Sequence, residues 1–158
     1  MKKIIFASFT LIVLLFLGFK SADLPSGNVA NCDQNEIKKM LAPLLKPFIA
    51  DGFKTTKIMF KKQPQKKEVE IPLYFGENYR IIFLTSQLPM DIGISIYNKS
   101  ATSKKRTLLF SSKDVPKAEV LKFATDRAKD FYVEYDIPAT DSIKSGCVSF
   151  MIGYESTE

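Results

Sequence analysis

The chain has 158 residues, enough for one domain, with 23 Lys and Arg against 17 Asp and Glu and no histidine. Without histidine, Ser-His-Asp and Cys-His catalysis and histidine-based zinc sites are excluded. With two cysteines far apart, no Ser-x-x-Lys pair, no Gly-rich phosphate loop and no D-x-D-x-D-G run, redox, acyl-transfer, nucleotide and calcium motifs are absent too.

The first element is the leader "MKKIIFASFTLIVLLFLGFKSA", residues 1–22. Lys2 and Lys3 precede an apolar run, Ile4 to Phe19, interrupted by Ser8 and Thr10. A membrane-spanning helix needs about 20 apolar residues, so the run reads as an export signal. Cleavage after Ala22 puts Lys20 at −3; cleavage after Ala30 is a later option. If uncleaved, the leader is the chain's one membrane attachment. Cys32 does not read as a lipid-anchored N-terminus, because Asn31 precedes it and it lies well past the apolar run. Three of the basic residues (Lys2, Lys3, Lys20) belong to the leader, leaving 20 basic against 17 acidic residues. That mild excess, in an exported chain, argues against nucleic acid as a partner.

Residues 23–31, "DLPSGNVAN", read as a flexible lead-in to a single domain over 32–158. Asp33 with Glu36 resembles a capping box, and Ile37, Met40, Leu41, Leu44 and Phe48 recur at helical spacing. This predicts a helix over 34–42, broken at Pro43, with Gly52 ending the element through left-handed backbone freedom.

From Phe53 onward the period becomes two. Eight strands are predicted: 54–62, 67–75, 79–86, 91–98, 106–112, 120–125, 130–137 and 146–154, with turn residues such as "GEN" at 76–78 between them. "YRIIFL" at 79–84 is apolar on both faces after Arg80, as a central strand covered on both sides would be. Ile92, Ile94 and Ile96 of "LPMDIGISIYNKS" belong to a core face. The fold class expected is mainly β: an antiparallel, jelly-roll-like sandwich of about eight strands with one N-terminal helix packed on it.

Cys147 alternates with Val148, Phe150 and Ile152, so it faces away from the core. An exported chain with two cysteines reads as one Cys32–Cys147 disulfide, pinning the helix to the last strand; two buried thiols are the alternative. So long a loop allows up to roughly 4–5 kcal/mol of stabilisation.

Glu68 and Glu70 share a strand face about 7 Å apart, a spacing at which paired carboxylates hydrolyse glycosides. The stretch is similar to the E-x-D-x-x-E of one jelly-roll glycosidase family, but Glu70 replaces the Asp and Leu73 the last acid, and Pro72 suits an edge strand. A solvated strand face accounts for the pair more simply. Two basic turns are candidate binding elements. Lys61, Lys62, Lys66 and Lys67 flank "QPQ", and Lys99, Lys104, Lys105 and Arg106 cluster between the fourth and fifth strands. At one end of the sandwich they would form an anion-attracting rim; lysines that solvate loops and block edge pairing are the plainer reading. Tyr74, Tyr97 and Tyr132 could form a sugar platform. "NKS" at Asn98 fits a glycosylation sequon, and "DSI" at 141–143 resembles the acceptor triplet for O-glycosylation of exported Bacteroidota proteins, with Ser142 as acceptor.

From "YRIIFLTSQLPMDIGISIYNKS" to "FYVEYDIPATDSIKSGCVSFMIGYE" the chain resembles small exported Bacteroidota proteins of unknown function. In its succession of strands it is similar to pre-peptidase C-terminal-type sandwiches, which implies a non-catalytic accessory and carries over no site residue. The expectation is an exported, non-catalytic binding or structural module of the cell envelope. It needs no cofactor or metal, and its partner is an envelope protein or a glycan. A glycan-active hydrolase using Glu68 and Glu70 is the alternative.

Overall fold

A computed structural model describes residues 32–73, 78–125, 130–142 and 144–155. The leader, the lead-in, Tyr74, most of the "GEN" turn and Ile143 lie outside the described residues.

Asp33 starts the helix as expected. Its Oδ1 accepts hydrogen bonds from the backbone N–H of Asn35 (2.8 Å) and Glu36 (3.3 Å), satisfying two donors of the first turn. The helix, α1, runs Gln34–Leu45 and buries Ile37, Leu41 and Leu45, four residues apart on one face. It does not stop at Pro43. Proline there costs one backbone hydrogen bond in the last turn, and burial of Leu45 beyond it holds that turn in place. Met40 and Leu44 face solvent, so the buried stripe is narrower than the periodicity suggested.

The chain leaves α1 through a cis Lys46–Pro47 bond and enters β1, Ile49–Phe60. Gly52 therefore lies inside a strand and ends no helix; the register slips between Ala50 and Gly52. What Gly52 supplies is room, since a Cβ there would stand 2.9 Å from Ile152 Cγ2. The remaining strands are β2 Gln65–Ile71, β3 Tyr79–Leu84, β4 Gly93–Tyr97, β5 Leu108–Ser111, β6 Val120–Thr125, β7 Phe131–Ile137 and β8 Lys144–Tyr154.

These strands form two antiparallel four-stranded sheets, ordered β1-β8-β3-β6 and β2-β7-β4-β5. The chain changes sheet at every connection except the β4–β5 hairpin, which is the strand order of a jelly roll. Between the sheets lie Ile58, Phe60, Ile81, Phe83, Val148, Phe150 and Ile152 from the first, and Val69, Ile94, Ile96, Phe131, Val133, Tyr135 and Ile137 from the second. Burial pushes the Tyr135 phenol well above its usual range.

A second apolar cluster joins Ile37, Leu41 and Leu45 of α1 to Ile82 and Leu84 of β3 and Met151 of β8. Strand β3 is thus covered on both faces, as its sequence requires. On this same outer face Cys32 and Cys147 are joined in a disulfide with Cα atoms 6.0 Å apart, tying the start of α1 to β8. No helix among the described residues is long and apolar enough to cross a membrane.

Candidate binding cleft

One end of the sandwich gathers the β1–β2 turn (61–64), the β3–β4 corner (85–92) and the β5–β6 connection (112–119). The corner is seated on β8. Gln87 O accepts the Cys147 N–H (3.2 Å) and Thr85 O accepts the Leu88 N–H (2.9 Å). Opposite it, Ser112–Asp114 forms a single 3-10 turn, capped where Ser111 Oγ accepts the Lys113 N–H at 3.2 Å. Ser112 Oγ accepts the Ile94 N–H at 2.9 Å, fastening that turn to β4.

Between corner and connection opens a cleft of about 430 Å³, within the size range of small-molecule sites. Leu88, Met90, Ile92 and Leu121 give it an apolar lining continuous with the core. Two ion pairs stand at the mouth: Asp91 Oδ2 with Lys117 Nζ (2.6 Å), and Asp136 Oδ2 with Lys113 Nζ (3.5 Å). Asp91, Lys113 and Lys117 are largely solvent-exposed and Asp136 is about half-exposed. Exposed pairs of this kind are worth about 0–1 kcal/mol, so they open at little cost and can exchange partners with a ligand's charges. A shallower hollow adjoins it along the free edge of β6, lined by Leu44, Val115, Pro116 and Val120.

The residues singled out from sequence lie elsewhere. Lys61 and Lys62 occupy the β1–β2 turn at the cleft end, whereas Lys99, Lys104 and Lys105 sit in the β4–β5 loop at the opposite end. The two basic turns therefore do not form a common rim. Lys66 and Arg106, one from each group, meet on the outer face of the second sheet at Glu134. Lys66 Nζ lies 2.9 Å from Glu134 Oε1 and Arg106 Nη1 3.1 Å from Oε2. Burial raises the Glu134 carboxyl, but hydrogen bonds and charge from Lys66 and Arg106 outweigh it and hold the group below the usual carboxylate range. The same bond to Glu134 raises Lys66. Lys67 lies on the narrow side, donating to Lys57 O at 3.3 Å.

Glu68 and Glu70 share the outer face of β2 and are both engaged. Glu68 Oε2 accepts the Ala101 N–H at 2.8 Å and lies 3.6 Å from Arg106 Nη2. Glu70 Oε1 accepts the Tyr132 hydroxyl at 3.0 Å, which raises that phenol. Tyr97 lies beneath the Arg106 guanidinium, 3.3 Å from its ring centroid, so it offers no open sugar platform. Asn98 closes the β4–β5 loop, its Oδ1 accepting the Thr107 N–H at 2.7 Å. Ser142 is exposed beside Thr140. Among the described residues no cluster of three His, Cys, Asp or Glu is placed to hold a metal.

Sequence reasoning missed the cleft because its walls come from separate connections. The signal present was the break in alternation at "QLPMD" and the Pro-containing "KDVPKAE", two irregular stretches flanking core strands.

No family model and no curated protein matches the chain. Neither the resemblance to small exported Bacteroidota proteins nor that to pre-peptidase C-terminal-type sandwiches is borne out by these comparisons; the antiparallel sandwich stands on the strand order alone. Among solved structures it is similar to Aeromonas hydrophila PliG, a periplasmic lysozyme inhibitor of g-type lysozyme. That chain is 7% identical, with a TM-score of 0.44, over 65% of this chain and 86% of the other.

Proposed function

We propose that the protein is an exported, non-catalytic binding module whose ligand site is the cleft between the β3–β4 corner and the β5–β6 connection. The observation that carries this reading is the pairing of an apolar lining with two exposed, exchangeable ion pairs at the mouth. Such a site suits a small amphipathic ligand or the side chain of a peptide, with an apolar body inward and a charged group at the rim. Export is supported by the leader and by the disulfide, which persists in oxidising compartments.

The hydrolase alternative is disfavoured by the engagement of its carboxylates. Glu68 is taken up by the Ala101 N–H and Arg106, and Glu70 by the Tyr132 hydroxyl, so the pair does not face an open cleft of its own.

The test is a fragment screen by amide NMR on residues 23–158 in the oxidised form. Shifts should cluster at Leu88, Met90, Ile92, Lys113 and Lys117, and should vanish in Ala118→Trp, which fills the mouth from an exposed position. Shifts scattered over the surface, or unchanged in Ala118→Trp, overturn the reading. Glycosidase activity lost in Glu68→Gln would replace it with the alternative.

A further inference from the structure

The narrow side of the sandwich, where the free edges of β1 and β2 run side by side, carries an unbalanced charge. Residues 52–67 contain six lysines (54, 57, 61, 62, 66 and 67) and no acid. Strand β8, the partner of β1, has no acid over its eleven residues and begins with Lys144. Among the described residues, only Lys66 of those six forms an ion pair. Acids border the set at its margins: Asp51 precedes Lys54 on β1, Glu134 and Asp136 face Lys66 from β7, and exposed Asp141 follows Thr140, whose N–H donates to Lys61 O at 2.8 Å.

Two of these lysines sit where a sandwich core would continue. Lys54 is opposite Phe150 and Lys67 opposite Tyr135, both core residues, so each lysine has inward parity and emerges at the open side between the sheets. Edge protection accounts for only part of the set. Gln65 Nε2 and Lys67 Nζ already donate to Met59 O and Lys57 O on the β1 edge. Among the described residues Lys54, Lys57, Lys61 and Lys62 form no ion pair; they are spread over about 23 Å of the β1 edge, from the seven residue steps between Lys54 and Lys61, with Lys54 on the inward side and Lys57, opposite Cys147, on the outer.

We propose that this seam is a contact surface for a linear acidic polysaccharide. A row of point charges along one strand edge and its turn follows a chain-like polyanion, whereas a membrane-binding face spreads its charges and adds a broad apolar side. The row contains no arginine, the residue that forks onto bases and phosphates, which disfavours a nucleic acid. This inference does not rest on the cleft.

The experiment uses the oxidised mature chain and heparin as probe, followed by calorimetry at about 50 mM salt and upward. Lys57→Gln, Lys61→Gln and Lys62→Gln combined should weaken binding about tenfold or more and flatten the log–log salt slope by roughly two. Lys99→Gln, Lys104→Gln and Lys105→Gln combined, an equal charge change at the other end, should stay within about twofold. Lys61→Gln with Lys62→Gln, both in the turn, reads the same direction should the triple variant lose stability. No binding by the wild type, equal losses in the two triples, or tighter binding to anionic phosphatidylglycerol vesicles or single-stranded RNA than to heparin overturns the proposal.

Discussion

Glu68 and Glu134 stand directly opposite each other on β2 and β7, with their side chains on the same outer face. Like charges in that position destabilise a strand pair. Arg106 resolves the conflict. Its Nη1 bonds Glu134 at 3.1 Å, its Nη2 lies 3.6 Å from Glu68, and its guanidinium plane rests on Tyr97. The β4–β5 loop that carries Arg106 is thereby drawn back over the sheet, where the Ala101 N–H donates to Glu68.

Removing the arginine should expose that conflict. Arg106→Ala is expected to lower unfolding free energy by about 2–4 kcal/mol, because a buried carboxylate keeps only Lys66 as a partner. Arg106→Lys should recover less than half of the loss, since an ammonium neither forks between two carboxylates nor stacks flat on Tyr97. Urea unfolding of the two variants, alone and with Glu68→Gln, measures this. An Arg106→Ala cost that Glu68→Gln leaves unchanged would mean the cross-strand repulsion is not what Arg106 relieves.

The same carboxylate sets an acid dependence. Glu134 titrates below its unfolded value near 4.5, so its contribution is complete above that value and is lost as pH falls through the lowered folded one. Wild-type stability should therefore decline on acidification below about pH 4.5, and Glu134→Gln should flatten that decline while costing stability at pH 7. Lys66 acts in the opposite sense. Its raised value means its share is present below 10.5 and is lost as pH rises beyond, and it is small because the side chain is mostly exposed. Urea unfolding between pH 3 and 6 decides the acid limb.

The disulfide closes a loop of 115 residues. Cys32→Ser with Cys147→Ser should lower stability by up to about 4–5 kcal/mol, the chain-entropy ceiling for a loop of this length. The loss should not be uniform. α1 touches the sheet mainly through Ile37, Leu41 and Leu45, so its amides should exchange faster than those of β3 once the tether at Cys32 is gone. Mass spectrometry of the unreduced wild type should find no alkylatable thiol.

All eight strands were legible in the sequence because each couples alternation to a turn-forming break, and β3 announced its double burial through Ile81, Ile82, Phe83 and Leu84. The placement of Cys147 away from the core was legible for the same reason, as alternation fixes a side once a core face is known. The end of α1 was not. Pro43 is a local signal, and it was overridden by burial of Leu45 against β3 and β8. Gly52 read as a helix stop, but its role is contact with Ile152, a residue one hundred positions away. The site suffered from the same limit. Whether Lys61 and Lys104 share an end depends on strand order, and the meeting of Lys66 with Arg106 at Glu134 depends on register. The ion pairs Asp91–Lys117 and Lys113–Asp136 join residues from connections that no local pattern relates.

Gly146 offers a way to move the cleft wall without touching a lining residue. It lies near the start of β8, opposite Ile58 of β1 and beyond the last β3 pair, Leu84–Ser149, where the β3–β4 corner flanks β8 instead. A Cβ there would stand 2.6 Å from Gln87 O and 2.6 Å from Pro89 Cδ, with Leu88 Cα at 3.0 Å. These are backbone and ring atoms, and β8 is held on its other side by β1, so the corner must lift. Gly146→Ala should cost about 1–3 kcal/mol by overpacking. It should also break the Cys147 N–H to Gln87 O bond and withdraw Leu88 and Met90 from the cleft lining. Gly52→Ala is the control, because its obstacle, the Ile152 Cγ2 methyl at 2.9 Å, lies at the end of β8 away from the corner. Amide and methyl NMR should show changes at Leu88, Met90 and Ile92 in Gly146→Ala, with Tyr97 and Glu134 at the far face unmoved. Changes at Glu134 as large as those at Met90 would show that the corner is not an independent wall and that the cleft and the charged face move as one.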